Sequence, residues 1–155
     1  YSADVGCVRI TERCLHSDPP TADEVAAARA VVRERLDAAL RAVPVERAKT
    51  WVGVAGTFTT IAALAQRMTT YDSDAIHLST VGFDELLPVC DELIAMTRKQ
   101  RAALGPMHEG RVDVIGGGAV VVRELAHELA SRAGISALTV SEHDILDGVV
   151  RALAG

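Results

Sequence analysis

The chain has 155 residues, a net charge of −5 at pH 7, and 49% hydrophobic against 24% charged residues. This length fits one domain, burying roughly 70% of the surface its unfolded chain exposes. The acidic balance argues against a nucleic acid or an anionic membrane as the main partner, so no DNA and no membrane contact is expected. Aromatic residues make up only 3%; Ala, Val and Leu must build the core, which favours helices packed closely on a sheet. Cys7, Cys14 and Cys90 are an odd count without a C-x-x-C pair, as expected of reduced thiols in the cytoplasm. No signal-peptide pattern is present, and the apolar runs are too short to span a bilayer. The first residue is Tyr1, and the opening strand has no beginning to its domain, so a fragment of a longer chain is expected.

In chain order, Ala3 to Thr11 alternates around Val5, Val8 and Ile10 and predicts a strand with a bulge or close approach at Gly6. His16 to Pro20 predicts a turn, and Thr21-x-x-Glu24 a capping box. Val25, Ala28, Val32, Leu36, Leu40 and Val43 then predict an amphipathic helix ending before Pro44. Trp51 to Ala55 predicts a strand, Gly56-Thr57 a turn, and Ile61 to Met68 a helix. The stripe from Phe83 to Thr97 predicts a helix kinked or delayed by Pro88. Arg98 to Arg101 is a basic cluster, and Gly105-Pro106 breaks the chain. Val114 to Ala130 predicts a helix stopped by Gly134, Ile135 to Val140 a strand, and Ile145 to Leu153 a closing helix. The alternation predicts an α/β layer with parallel pairing.

The segment Gly53 to Thr60 carries the most chemistry. Glycines at a strand-to-helix turn let a ligand approach the backbone, and the helix start offers free amides and a positive dipole to an anion. A turn in which Thr57 or Thr59 merely caps the helix explains the same residues. Neither a P-loop nor G-x-G-x-x-G is present. Gly116-Gly117-Gly118 costs a helix roughly 2–3 kcal/mol relative to alanines, so another backbone or a ligand must come close there. His16, His77, His108, His127 and His143 form no zinc pattern. Glu142, His143, Asp144 and Asp147 suit a helix start as well as acid–base work. Arg98, Lys99 and Arg101 suit a solvated face as well as a phosphate.

Four segments together resemble the exopolyphosphatase/guanosine pentaphosphate phosphatase family: Asp4 to Arg13, Val52 to Leu64 with its Ala55-Gly56-Thr57 core, Arg111 to Ile115 with its glycines, and Ser141 to Gly148. The third, for instance, is similar to "Arg-x-Asp-Val-Ile-x-x-Gly-Ala". Order and spacing agree from about Ala3 to the end, and the wording resembles an actinobacterial branch. The resemblance implies a ribonuclease-H-like fold of the actin, sugar-kinase and heat-shock ATPase superfamily, incomplete at its N-terminus, with residues 1–155 forming the C-terminal half of a two-domain phosphatase core. It implies substrate phosphates at Gly56, Thr57, Thr59, Gly6 and Arg9, and an interdomain helix around Asp113, Gly117 and Gly118. It also implies magnesium-dependent release of terminal phosphate from polyphosphate or guanosine pentaphosphate (pppGpp).

The family's general-base glutamate belongs to its first domain, and the "Asp-Ile-Gly-Gly-Gly-Ser-Thr-Glu" hairpin should precede residue 1. Neither is in this chain. The expectation is therefore no catalytic residue and no metal ligand here, a missing N-terminal catalytic domain as partner, and no activity for the piece alone. Ile145-Leu146-Asp147-Gly148 stands where the family often has "Leu-Arg-Glu-Gly", which leaves an anion role for that segment open. The alternatives are a non-catalytic nucleotide- or polyphosphate-binding or homodimerisation module of the same fold and, more distantly, an ATP-dependent kinase.

Overall fold

The structure is a computed structural model that describes residues 1–154. Its elements are α1 (Cys7–Cys14), α2 (Ala22–Ala42), β1 (Trp51–Val54), α3 (Gly56–Ala65), α4 (Ser73–Ile76), β2 (Thr80–Gly82), α5 (Phe83–Ala95), α6 (Arg98–Ala102), α7 (Ile115–Ala133), β3 (Ala137–Ser141) and α8 (Ile145–Ala154). Single 3₁₀ turns lie at Val45–Arg47 and Glu109–Arg111.

The sheet has the order β1-β3-β2. β1 and β3 are parallel, with Trp51 opposite Leu138 and Val54 opposite Ser141; β2 runs antiparallel to β3, with Val81 opposite Leu138. The parallel pair was expected from the alternation; β2 was not, because three residues give too short a pattern to read. One sheet face is buried through Trp51, Gly53, Val81, Leu138 and Val140, while Val52 and Val54 point to solvent. Trp51 meets Phe58 and Phe83 edge-to-face, at 5.7 and 5.8 Å between ring centroids. Gly53 leaves room for Phe58, whose ring would lie 2.5 Å from any Cβ there.

The expected strand over Ala3 to Thr11 is corrected: Cys7–Cys14 is helical. Val5, Val8, Ile10 and Thr11 alternate only loosely, whereas Cys7, Ile10, Thr11 and Cys14 fit a three- and four-residue period. Packing decides between them, since α1 lies on α7 and α2 with Ile10 and Cys14 buried. The helix expected from Phe83 onward forms without the delayed start: α5 begins at Phe83, directly after β2, and runs through Pro88 to Ala95. Proline removes one amide from the ladder; Leu86, Cys90, Leu93 and Ile94, all buried, hold the helix on α7 and its neighbours.

α7 is the hub, packing against α1, α2, α3 and α5. Gly116, Gly117 and Gly118 are all buried. A Cβ at Gly117 would sit 2.4 Å from Thr11 Oγ1 and 2.6 Å from the Cys7 carbonyl oxygen; one at Gly118 would sit 2.7 Å from the Thr57 methyl. Gly117 and Gly118 are thus explained by the close packing of α1 and α3 on α7 inside this chain. Gly134 closes α7 in the left-handed conformation, as the pattern predicts (φ 67°, ψ 21°). Gly117→Ala should destabilise the fold by about 1–3 kcal/mol, because rigid backbone stands in the way. Gly148→Ala, with nothing within 4 Å in exposed α8, should stabilise by about 0.5–1 kcal/mol; denaturant unfolding separates the two.

The capping box of α2 forms as read. Thr21 Oγ1 accepts from the Glu24 amide at 3.2 Å, and Glu24 Oε2 accepts from the Thr21 amide at 2.8 Å. Glu24 also accepts from the His16 and Ser17 amides. The Thr21 amide, foremost among these donors, holds the Glu24 carboxyl below its ordinary value of 4.5. A depressed carboxyl stabilises the fold above its unfolded pKa, and that contribution is lost as pH falls through the folded value. Glu24→Gln should therefore flatten the loss of melting temperature on acidification below pH 4.5, while leaving its slope between pH 6 and 8 unchanged.

Candidate functional site

Both parallel strands end at the same edge, the usual place for a ligand crevice in an open α/β sheet. There β1 passes through Ala55 into α3. Ala55 has φ 67° and ψ 173°, a combination that is essentially glycine's alone. The backbone reversal thus falls on Ala55, one residue before the glycine. The amides of Gly56 and Thr57 open α3, where geometry provides no intrahelical acceptor; the Phe58 and Thr59 amides already bond the Ala55 carbonyl at 3.1 and 3.3 Å.

Gly56 is held open for Arg111. A Cβ at residue 56 would lie 2.3 Å from the Arg111 guanidinium, which donates to Thr60 Oγ1 at 2.9 Å. Arg111 arrives on the 3₁₀ turn Glu109–Arg111, where His108 Nδ1 accepts from the Gly110 amide at 3.1 Å. That loop is anchored by Arg101, which is buried and donates to the Val112 carbonyl at 3.1 Å and the Met96 carbonyl at 2.9 Å. Burial lowers the Arg101 pKa. The basic cluster is therefore half structural: Arg101 staples the loop, and Arg98 pairs with Asp113 at 2.5 Å.

A cleft of about 450 Å³ opens at this edge, lined by Gly6, Cys7, Gly56, Thr57, Arg111 and Gly118 together with apolar side chains that include Val54, Phe58 and Val122. The structure brings together Gly6, Gly56, Thr57 and Gly118. It does not bring in the other two expected phosphate residues. Arg9 lies on the outer face of α1, 67% exposed and paired with Asp4. Thr59 is buried, and its hydroxyl turns back to the Gly56 carbonyl at 3.4 Å. Asp113 is outside the lining and Gly117 faces α1. Sequence reasoning gave Arg111 no role, although the resemblance rested partly on it; an arginine in a loop carries no periodic signal.

At the lip, Tyr71 donates to Glu142 Oε1 at 2.5 Å. Burial, followed by the Glu142 carboxylate, raises the Tyr71 phenol pKa, with Thr59 and Arg111 opposing. His77 Nδ1 accepts from the Glu142 amide at 3.2 Å, and His143 stacks edge-to-face on His77. Of the residues read as caps, the aspartates serve the start of α8: Asp144 Oδ1 accepts from the Leu146 amide and Asp147 Oδ2 from the Asp144 amide, both at 2.8 Å. Cys7 is half-buried at the cleft, whereas Cys90 is buried and its thiol is pushed up to about 12. Among the described residues no group of three or more His, Cys, Asp or Glu could hold a metal ion. No helix among them is long and apolar enough to cross a membrane.

Residues 1–152 match the family described as the Ppx/GppA phosphatase family. The chain belongs to that family. It is 71% identical over all 155 residues to Exopolyphosphatase 2 of Mycobacterium tuberculosis, covering 49% of that protein. It is similar, with a TM-score of 0.96 and 38% identity, to the crystal structure of an exopolyphosphatase-like protein, covering 99% of this chain and 49% of the other. An exopolyphosphatase of Cytophaga hutchinsonii has the same fold (TM-score 0.82, 22% identity, 99% and 48% covered). The chain thus spans about half the length of the curated relatives it matches, and its α/β architecture is of the ribonuclease-H-like kind expected.

Ala55 holds a conformation at which only glycine is at ease, so a glycine there removes the φ strain. Ala55→Gly should raise stability by about 1 kcal/mol, read from the denaturant midpoint; a loss of similar size would show the conformation of Ala55 to be unstrained.

Proposed function

We propose that this chain forms one wall of the substrate cleft of an exopolyphosphatase-type phosphoanhydride hydrolase, an actinobacterial and cytoplasmic one. In this reading it binds the terminal phosphates of inorganic polyphosphate. One observation carries the reading: the open amides of Gly56 and Thr57 and the Arg111 guanidinium converge at the carboxyl edge of the parallel strands, inside a cleft. Backbone amides at a helix start and a planar guanidinium both suit phosphate oxygens. The relatives' names favour polyphosphate over guanosine pentaphosphate.

In such a reaction the protein mainly positions the phosphoryl group and neutralises its developing charge. Thr57, wedged on Gly118, fixes where α3 begins. Arg111, held by Thr60, faces the charge of the terminal phosphate. The apolar walls exclude water from the remainder of the cleft. By family resemblance, a glutamate in the other half of the protein takes the proton of the attacking water. The family also implies magnesium, a hard cation that needs oxygen ligands. No carboxylate lines this cleft, so the residues here do not fit that ion and no step passes through it. The relatives' remaining half is also the partner we propose for two uncovered surfaces, the Val52–Val54 side of the sheet and the stripe Ile145, Leu146, Val149, Val150 and Leu153 of α8.

The test is hydrolysis of polyphosphate with magnesium by the full-length protein. Arg111→Gln should lower kcat/KM by about 10–100-fold, the loss of one charge-assisted hydrogen bond. Gly56→Val, which would displace Arg111, should cut activity by more than it cuts stability. Parallel losses of activity and stability would reduce the turn to a structural element. Robust turnover by the 155-residue chain alone would overturn the two-part reading.

A further inference from the structure

Away from the cleft, α2, α5 and α7 enclose an ion network whose charges do not balance. Glu124 of α7 is only 2% exposed. Arg33 donates to its Oε2 at 2.5 Å and Arg123 to its Oε1 at 3.1 Å, while Arg123 also donates to Asp91 at 2.7 Å. Both carboxylates are thus engaged at hydrogen-bond distance without Arg29. Arg29 is left with contacts of 3.5 Å to Glu124 and to Asp91, well outside the range of strong charge-assisted bonds. Its Nε is buried and has no hydrogen-bond partner. Three guanidiniums face two carboxylates, with one positive charge in excess.

Arg29 and Arg33 border an open groove of about 460 Å³ between α2 and the end of α5, floored by Val25, Ala26, Ile94 and Ala95. It shares no lining residue with the cleft at Gly56. We propose that this groove is a second binding site, for a small organic anion. The carboxylate or phosphate head pairs with the Arg29 guanidinium, and a body of a few carbons lies along Val25, Ala26 and Ile94. A guanidinium short of acceptors, partly shielded from water at 31% exposure, takes an oxyanion in its planar fork. The apolar floor favours a ligand with carbon over a bare inorganic anion, because only the former removes apolar surface from water.

The test is calorimetric titration of the full-length protein with hexanoate, phenyl phosphate and inorganic phosphate, in a Gly56→Val background to silence the cleft. At least one organic anion should bind about tenfold or more tightly than inorganic phosphate, and the tighter of the two names the preferred head group. Arg29→Gln should weaken that binding by roughly 10–100-fold at an unchanged melting temperature. Should that variant fail to fold, Ala26→Leu decides, because it fills the floor without touching a charge and should also abolish the preference for carbon. Three results would overturn the proposal: no binding by any probe, inorganic phosphate binding as tightly as the organic anions, or a folded Arg29→Gln or Ala26→Leu variant that binds unchanged. None of them bears on the polyphosphate reading of the cleft, whose own test is turnover.

Discussion

Three successive glycines let the N-terminal turn of α7 be covered without a gap. At Gly117 the backbone of α1 comes so close that no Cβ fits, and at Gly118 Thr57 of α3 does the same. Two further helix starts, those of α1 and α3, are drawn onto one short stretch of α7. Their convergence creates the cleft, whose lining takes Gly6 and Cys7 from the first, Gly56 and Thr57 from the second, and Gly118 from α7 itself. The helix loses intrinsic stability at each glycine. Packing of α7 on four neighbouring helices offsets that loss.

The second constraint is the route by which a charge reaches this apolar corner. Arg111 is carried by a loop, and loops position poorly unless something fixes them. Here Arg101 does so from beneath, tying the Val112 carbonyl of that loop to the Met96 carbonyl at the end of α5. Arg111 in turn rests over Gly56 and on Thr60. One arginine, from the basic cluster Arg98 to Arg101, serves as scaffold; the other, flanked by Glu109 and Asp113, is the cationic face of the cleft. The contrast with Arg29 is instructive. There three arginines share two carboxylates, and the one left over borders a groove instead of closing a network.

The strain at Ala55 belongs to the same economy. A residue held where only glycine is at ease survives when the surroundings over-determine it. Here β1 is paired to β3 on one side and α3 is wedged by Phe58 and Thr57 on the other. The relatives' overlap, about half of their length, agrees with a cleft that offers main-chain amides and a guanidinium but no carboxylate of its own.

What could be read from the residues alone was whatever depends on local chemistry. The capping box at Thr21 and Glu24, the period of α2 and the left-handed Gly134 rest on interactions within a few residues and form as read, while the strand-to-helix turn forms one residue early, at Ala55. The family was legible too, because four short segments in order leave little freedom. Tertiary structure decided the rest. The loose alternation of Ala3 to Thr11 competes with the helical spacing of Cys7, Ile10, Thr11 and Cys14, and packing on α7 selects the helix. The side-chain directions of Arg9 and Thr59, one outward and one inward, depend on how α1 and α3 are rotated in the fold. Arg111 enters the cleft through contacts with residues some fifty positions away. No local rule reaches that far, since such contacts exist only once the core has brought distant segments together.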